Sequence, residues 1–239
     1  MASNPVGVLA LHGFTGSPDT MRPVSDALAA AGIPVEAPRL PGHGTRIEDM
    51  LDTSWADWSA TAEQAYLDLA GRVERVVVAG LSMGGTLTAW LAIRHPELAG
   101  AVFINPAVAP ADPDLRALVN DMLEVGETVA PGGGAGSDIA DPDAVEVAYD
   151  GTPLRPVLSL FDAIDELLPL LASITCPVLI MTSAQDHTVD PAASDLLAAA
   201  VSGPVERITL ERSYHVATHD YDKHIVIEHT IDFVRKIIG

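Results

Sequence analysis

Three short stretches of this chain carry residues that could do acyl-transfer chemistry together. The first is Gly80-Leu81-Ser82-Met83-Gly84, a G-x-S-x-G pattern at the end of the apolar run VVVAG. A serine held on a strained turn between strand and helix presents its oxygen clear of the sheet, and glycines two residues either side remove side chains that would collide there. The bland alternative is a glycine-serine turn. The strand before the motif and the helical pattern after it favour the nucleophile.

A serine hydroxyl is a weak nucleophile at neutral pH and needs a base, which in turn needs an orienting group. The second and third stretches offer them. TSAQDHTVDP follows an apolar run ending near Thr182 and LERSYHVATHD follows another ending near Leu210, which places Asp186 and His215 just beyond strand ends. The chain order serine, acid, histidine is the one that a strand–G-x-S-x-G–helix arrangement uses. Asp190 is the rival acid, but Pro191 follows it and it reads as a helix cap. Among the other histidines, His95 reads as a surface residue at a helix end, His187 comes before the last strand, and His224 and His229 lie in the last helix. His219 is the serious rival base. With His215 it makes H-x-x-x-H, the spacing of two zinc ligands on one helix face. Val216 stands where the glutamate of H-E-x-x-H would be and no third ligand follows at useful spacing, so no metal is expected.

Acyl transfer also passes through a tetrahedral oxyanion, which preformed N–H donors must meet. The Met83 N–H, directly after the nucleophile, is one candidate. LHGFTG after the first apolar run supplies the other, with the Phe14 N–H as the donor.

These residues need a scaffold that brings several strand ends to one rim. Short apolar runs at Val6–Leu11, Ile33–Ala37, Val73–Ala79, Ala101–Ile104, Val178–Thr182 and Val205–Leu210 read as buried strands. Helical patterns alternate with them: 17–31, 54–69, 83–95, 191–201 and roughly 221–238. Ser54-Trp55-Ala56-Asp57 has a capping-box start. This alternation predicts an α/β fold: a mainly parallel sheet of six or seven strands, helices on both faces, and ligands beyond the carboxyl ends of the strands.

Residues 105–177 break the alternation. They contain helical pieces, the glycine-rich run PGGGAGSD and a strongly apolar helix over 157–171. An insertion of this length after a strand reads as a functional cap, assigned here to residues 107–175 of a single domain spanning 1–239. The leucines of that helix (Leu158, Leu160, Leu167, Leu168, Leu171) and Phe161 could line an acyl pocket, or the helix could simply pack on the sheet.

Composition bounds the rest. The chain has 239 residues, 48% of them hydrophobic, and a formal net charge of −20 with only 13 Lys and Arg. That charge disfavours nucleic acid and anionic membrane surfaces as partners. The one cysteine, Cys176, cannot pair internally, no leader of basic-then-apolar type opens the chain, and no run is long enough to span a membrane. A cytoplasmic protein is expected.

Taken together, LALHGFTGSP, PRLPGHGT, AGLSMGG, D-x-x-V-x-P at 186–191 and YHVATHD resemble the α/β-hydrolase fold. They are similar to the small bacterial carboxylesterases and monoacylglycerol lipases, across essentially the whole chain. The resemblance implies a cofactor-free serine hydrolase with Ser82 as nucleophile, Asp186 as orienter and His215 as acid/base. Phe14 and Met83 then supply the oxyanion N–H groups, and a small ester, acyl or monoacylglycerol, is the substrate. In that family His43 supports a turn, and Glu146 is the candidate for a carboxylate meeting a glycerol. Thioesterase, carbon–carbon hydrolase and peptidase chemistry use the same triad and stay open. So does a non-catalytic binding protein. A serine at position 82 excludes dehalogenase and epoxide hydrolase chemistry, which needs an aspartate there.

Overall fold

The computed structural model describes residues 6–131 and 138–239. The run Pro131 to Asp138 therefore lies, for its six central residues, outside the described part. In chain order the elements are β1 (Val6–Leu11), α1 (Arg22–Ala30), β2 (Val35–Glu36), α2 (Trp55–Ala70), β3 (Arg75–Leu81), α3 (Met83–Arg94) and β4 (Gly100–Ile104). Then come α4 (Pro113–Glu124), β5 (Val129–Ala130), β6 (Thr152–Pro153), α5 (Leu154–Leu167), β7 (Val178–Ser183), α6 (Ala192–Ala200), β8 (Val205–Leu210) and α7 (Lys223–Ile238).

Six strands form one sheet in the order β2-β1-β3-β4-β7-β8, all parallel. Every inner strand is apolar at consecutive positions because both of its faces are covered. Leu9, Leu11, Val78, Phe103 and Ile180 point into a core shared with α2, α3, α5 and α6. The residues between them, Val8, Ala10, Val77, Ala79, Val102 and Leu179, point into a second core against α1 and α7. The period-2 geometry of a strand divides one apolar run between two cores.

The register sets the site. Leu11 pairs with Gly80, Leu81 with Ile104, Ile104 with Met181, and Ser183 with Leu210. The carboxyl ends of β1, β3, β4, β7 and β8 are therefore level, and the loops that follow them emerge on one rim. The chain leaves β1 for β2 on one side and returns to β3 on the other, so β1 and β3 flank a topological switch point, where such sheets bind ligands.

The differences from the sequence reading are local. β2 is only two residues long, at the sheet edge, and β3 starts at Arg75 because residues 71–74 turn. The first helical stretch divides into a 3-10 turn, Pro18–Met21, and α1. The capping box at Ser54 is present, with the Ser54 N–H donating to Asp57 Oδ2 at 2.9 Å. Between β4 and β7 the helical character holds in α4, α5 and a 3-10 turn over Leu168–Ser173, but the two-stranded antiparallel ribbon of β5 and β6 has no signal in the sequence.

Candidate active site

Ser82 follows the last residue of β3 and caps α3 with φ 56 and ψ −119. An L-residue avoids that region of backbone space, and its presence at a strand end marks stored strain. Surrounding bonds hold it. The Ser82 N–H donates to the Ile104 carbonyl at 3.1 Å, and the Ser82 carbonyl accepts from Gly85 at 2.8 Å and Ala107 at 3.1 Å. The glycines are explained by space. A Cβ on Gly80 would sit 2.0 Å from the Gly84 carbonyl oxygen, and one on Gly84 would sit 2.1 Å from the Leu11 carbonyl oxygen. Neither neighbour can move, because both are backbone. Gly13, after β1, approaches from the other side: a Cβ there would lie 3.2 Å from the Ser82 Cβ.

Asp186 and His215 come together as the sequence reading requires. His215 Nδ1 lies 2.8 Å from Asp186 Oδ2, and both side chains are only 2% exposed. A carboxylate can only accept, so the proton is on Nδ1. The other carboxylate oxygen, Oδ1, accepts the N–H groups of Thr188 and Val189, both at 2.8 Å. That leaves His215 Nε2 buried and without a partner. It faces a small pocket whose walls are Gly13, Phe14, Leu81, Ser82, Glu146, His215 and Val216. An unpartnered ring nitrogen and a serine hydroxyl thus line one small pocket with the loop of the expected N–H donor, Phe14. The Met83 N–H, the second expected donor, opens α3 beside them.

The competing residues have other work. Asp190 Oδ1 accepts the N–H of Ala192, the first residue of α6, at 2.8 Å. His219 Nε2 donates to the Asp19 carbonyl at 2.9 Å, and it and His215 lie in the irregular segment before α7 rather than on one helix face. No group of three or more potential metal ligands occurs among the described residues. His95 is less exposed than expected: it lies between Glu63 and Glu97, with its ring 4.1 Å from that of Tyr66. His187 pairs through Nδ1 with Asp138 at 2.8 Å.

Sequence reasoning misses the brace under His215. Asn105, just past β4 with φ 44, accepts the Ser183 N–H at 2.7 Å and donates to the Ser183 Oγ at 2.9 Å and the His215 carbonyl at 2.7 Å. Ser183 Oγ in turn donates to the Tyr214 carbonyl at 2.8 Å. Asp222 supports the same segment, accepting the Arg212 and Ser213 N–H groups at 2.8 and 3.0 Å. The one signal in the sequence is the position of Asn105 at a strand end.

Two buried histidines steady the Phe14 loop. His12 Nδ1 donates to the Gly13 carbonyl at 2.9 Å while Nε2 accepts the Leu40 N–H at 3.2 Å, a pairing that only the neutral ring can make. Burial, reinforced by nearby His43, pushes His12 down to about 3; burial pushes His43 down to about 4. His43 donates to Pro41 and supports the Pro41–Gly44 turn, as the resemblance implies. In the unfolded chain both rings protonate near 6.5. Between that value and about 4 the unfolded state binds protons that the folded state refuses, so stability falls as pH drops through this window. Each ring should cost about 2 kcal/mol by pH ~5. Urea midpoints should therefore fall between pH 7 and 5, and less so in His43→Gln; equal pH sensitivity in that variant would contradict the assignment.

Glu146, from the insertion, is only a candidate in the sequence, and in the structure it lines the pocket. Oε1 accepts from Thr20 Oγ1 at 2.9 Å, and Oε2 is buried without a partner. Burial pushes its carboxyl above the usual range, against the pull of Thr20 and His215. Tyr149 docks the same segment: its N–H donates to the Thr15 carbonyl at 3.2 Å and its hydroxyl to the Gly42 carbonyl at 2.6 Å. A separate groove of about 550 Å³ runs between the insertion and the α6 loop, lined by Leu115, Leu160, Phe161, Ile164, Val189 and Leu196 among others. Leu160 and Ile164 also belong to the core, so the two roles weighed for that helix coexist. An equally large opening at the amino ends of β3, β7 and β8 lies at the opposite end of the strands from Ser82.

The chain is similar to known proteins over most of its length. The chain is 43% identical to the thermostable monoacylglycerol lipase of Bacillus sp. (strain H-257), over 99% of this chain and 93% of that one. It superimposes on a structure from work on LipS and LipT, two metagenome-derived lipolytic enzymes, with a TM-score of 0.92, 39% identity, and 98% and 95% of the two chains covered. The monoacylglycerol lipase of Paleococcus ferrophilus, at 19% identity and a TM-score of 0.77 over 96% and 94% of the chains, shares the fold. The family model described as serine aminopeptidase, S33, matches residues 5–222. With the parallel sheet, the strained serine after β3 and this match over most of its length, the chain belongs to that family of α/β-hydrolases.

Proposed function

We propose that the protein hydrolyses carboxylic esters, monoacylglycerols foremost, through an acyl-enzyme on Ser82. The observation that carries this is the bare, buried Nε2 of His215 in the same pocket as the strained serine, with Nδ1 committed to Asp186. Ser82 Oγ attacks the ester carbonyl and passes its proton to His215 Nε2. The Phe14 and Met83 N–H groups receive the oxyanion. The collapsing intermediate expels the alcohol, which takes the proton from His215. Water then repeats the sequence in reverse and frees the acid. No cofactor or metal enters these steps.

Two features support the substrate class. The groove along α5 is mostly apolar and has Ala107, whose N–H donates to the Ser82 carbonyl, among its walls, so it suits the acyl chain. Glu146, with one oxygen held by Thr20 and the other free, suits a hydroxyl of the leaving glycerol. Residues 107–175 then act as a cap carrying both subsites within a single hydrolase domain. Among the described residues no helix is long and apolar enough to cross a membrane. The unpaired, buried Cys176 fits a cytoplasmic setting.

An aminopeptidase is the second reading, and the family description favours it. Its substrate ammonium would need a charged partner in the pocket. Glu146 is the available acid, and its raised pKa suits a neutral hydroxyl better than an ammonium. The test compares monoacylglycerols, nitrophenyl esters of rising chain length and amino-acid anilides. Monoacylglycerols should turn over fastest. In Glu146→Gln their KM should rise about tenfold, the worth of one good hydrogen bond, while the KM for nitrophenyl esters stays put. Faster anilide turnover, or an equal KM change for both ester types, would overturn the reading.

A further inference from the structure

The loops carrying Asp186 and His215 leave neighbouring strands, yet beyond the strand ends little regular structure ties them to each other. The bond between the Ala184 N–H and the Leu210 carbonyl, 2.9 Å, is the last ladder contact before the two loops part. Past it the Gln185 side chain donates to the Glu211 carbonyl at 2.9 Å and Asn105 bridges Ser183 and the His215 carbonyl, and a further tie comes from outside the sheet. Asp138 belongs to the insertion between β4 and β7. Its Oδ2 accepts two backbone N–H groups at once, that of His187 at 2.9 Å and that of His215 at 3.2 Å. One oxygen therefore bridges the residue next to the acid and the histidine itself. Oδ1 meets His187 Nδ1 at 2.8 Å.

The segment around Asp138 is locked to the histidine loop in both directions. The Asp138 carbonyl accepts the Val216 N–H at 3.1 Å. The fully buried Asp220 returns the contact, accepting Ala140 at 2.7 Å and Asp141 at 3.0 Å from the insertion, and Tyr214 at 2.9 Å and Tyr221 at 2.7 Å from its own loop. Asp138 and Asp220 are thus reciprocal carboxylate clamps, each gripping backbone of the other segment. Charge-assisted bonds to amides are the stronger kind. The Asp138 side chain is 16% exposed, whereas the His187 ring is 61% exposed, so the ring pairing is screened and the amide bonds dominate.

Resting on the ester-hydrolase reading, we propose that Asp138 is a positioning residue of the catalytic apparatus: its single Oδ2 fixes the separation of the Asp186 and His215 loops and so the hydrogen bond between them. The insertion then does more than cover the pocket. It supplies the tie that reaches the His187 and His215 amides directly, and the geometry of the pair depends on the insertion being seated.

Asp138→Ala isolates the carboxylate, because the bonds to Asp220 and from Val216 remain and keep the segment in place. Rates are read per active site, titrated with a phosphonate, so that loss of folded protein does not count. For Asp138→Ala the kcat on a nitrophenyl ester should fall about a hundredfold, the usual result of misplacing a catalytic group by about 1 Å, with KM little changed. Asp138→Asn retains an acceptor oxygen and should recover most of the loss. His187→Ala removes the largely exposed ring, with its ion pair and its edge contact to Tyr214, but leaves both amide bonds to Oδ2, and should cost less than about threefold. The low-field proton resonance of the Asp186–His215 hydrogen bond, visible without substrate, should be present in the wild type and in Asp138→Asn and broadened or absent in Asp138→Ala. An unchanged kcat per site with an unchanged resonance in Asp138→Ala would overturn the proposal, as would a His187→Ala variant matching its loss. If the wild type hydrolyses no ester, the ester reading fails by itself, and the resonance still decides the role of Asp138.

Discussion

Ser82→Ala should fold normally and lose about a million-fold in kcat on a nitrophenyl ester, the scale on which removal of the nucleophile of a serine triad acts. The effect is confined to chemistry for a structural reason. The Ser82 side chain makes no capping bond to α3, and the strained φ of 56 is imposed by backbone bonds from Ile104, Gly85 and Ala107 that alanine keeps. Its melting temperature should therefore match the wild type within a few degrees. Activity within tenfold of wild type would remove Ser82 from the mechanism.

Asp186→Asn should lower kcat about ten-thousandfold, as loss of the orienting carboxylate does in serine triads. The variant can keep the turn, since an amide oxygen still accepts the Thr188 and Val189 N–H groups that now bind Oδ1. The amide nitrogen then occupies the place of Oδ2, 2.8 Å from His215 Nδ1. It donates, so Nδ1 must become the acceptor and the ring proton moves to Nε2, where the base is needed. Asp190→Asn serves as the contrast: its Oδ1 only accepts the Ala192 N–H, which an amide oxygen accepts equally well, so turnover and stability should both stay close to wild type. Equal activity losses in the two variants would show that the acid has been misassigned.

Much of this site is legible in the amino-acid sequence because its parts are tied to strand ends. Apolar runs locate strands, a parallel sheet levels their carboxyl ends, and whatever follows each run must then share a rim. Ser82, Asp186 and His215 follow from that placement, and Phe14 and Met83 from what a nucleophile at Ser82 requires. The glycines at 80 and 84 are legible for the same reason, since steric exclusion leaves a residue-type signature.

The braces are not legible. Asn105 and Asp138 act on backbone groups in segments 49 to 110 residues away, and Asp220 reaches the insertion across 79 or 80 residues. Backbone partners carry no side-chain identity, so no spacing rule exposes them. Glu146 is ambiguous because a lone glutamate in a polar stretch reads as solvated; only its packing beneath Thr20 turns it toward the pocket. The two-residue strands β2, β5 and β6 fall below the length at which alternation has meaning.

The central claim is that Ser82, activated by His215, forms the acyl-enzyme. Treating the wild-type protein with a fluorophosphonate and mapping the adduct by mass spectrometry tests it most directly. The account predicts one adduct per chain, on the peptide containing Ser82, with ester turnover falling in step with labelling and no adduct in Ser82→Ala. An adduct on another residue, or ester turnover that survives complete labelling of Ser82, would contradict it.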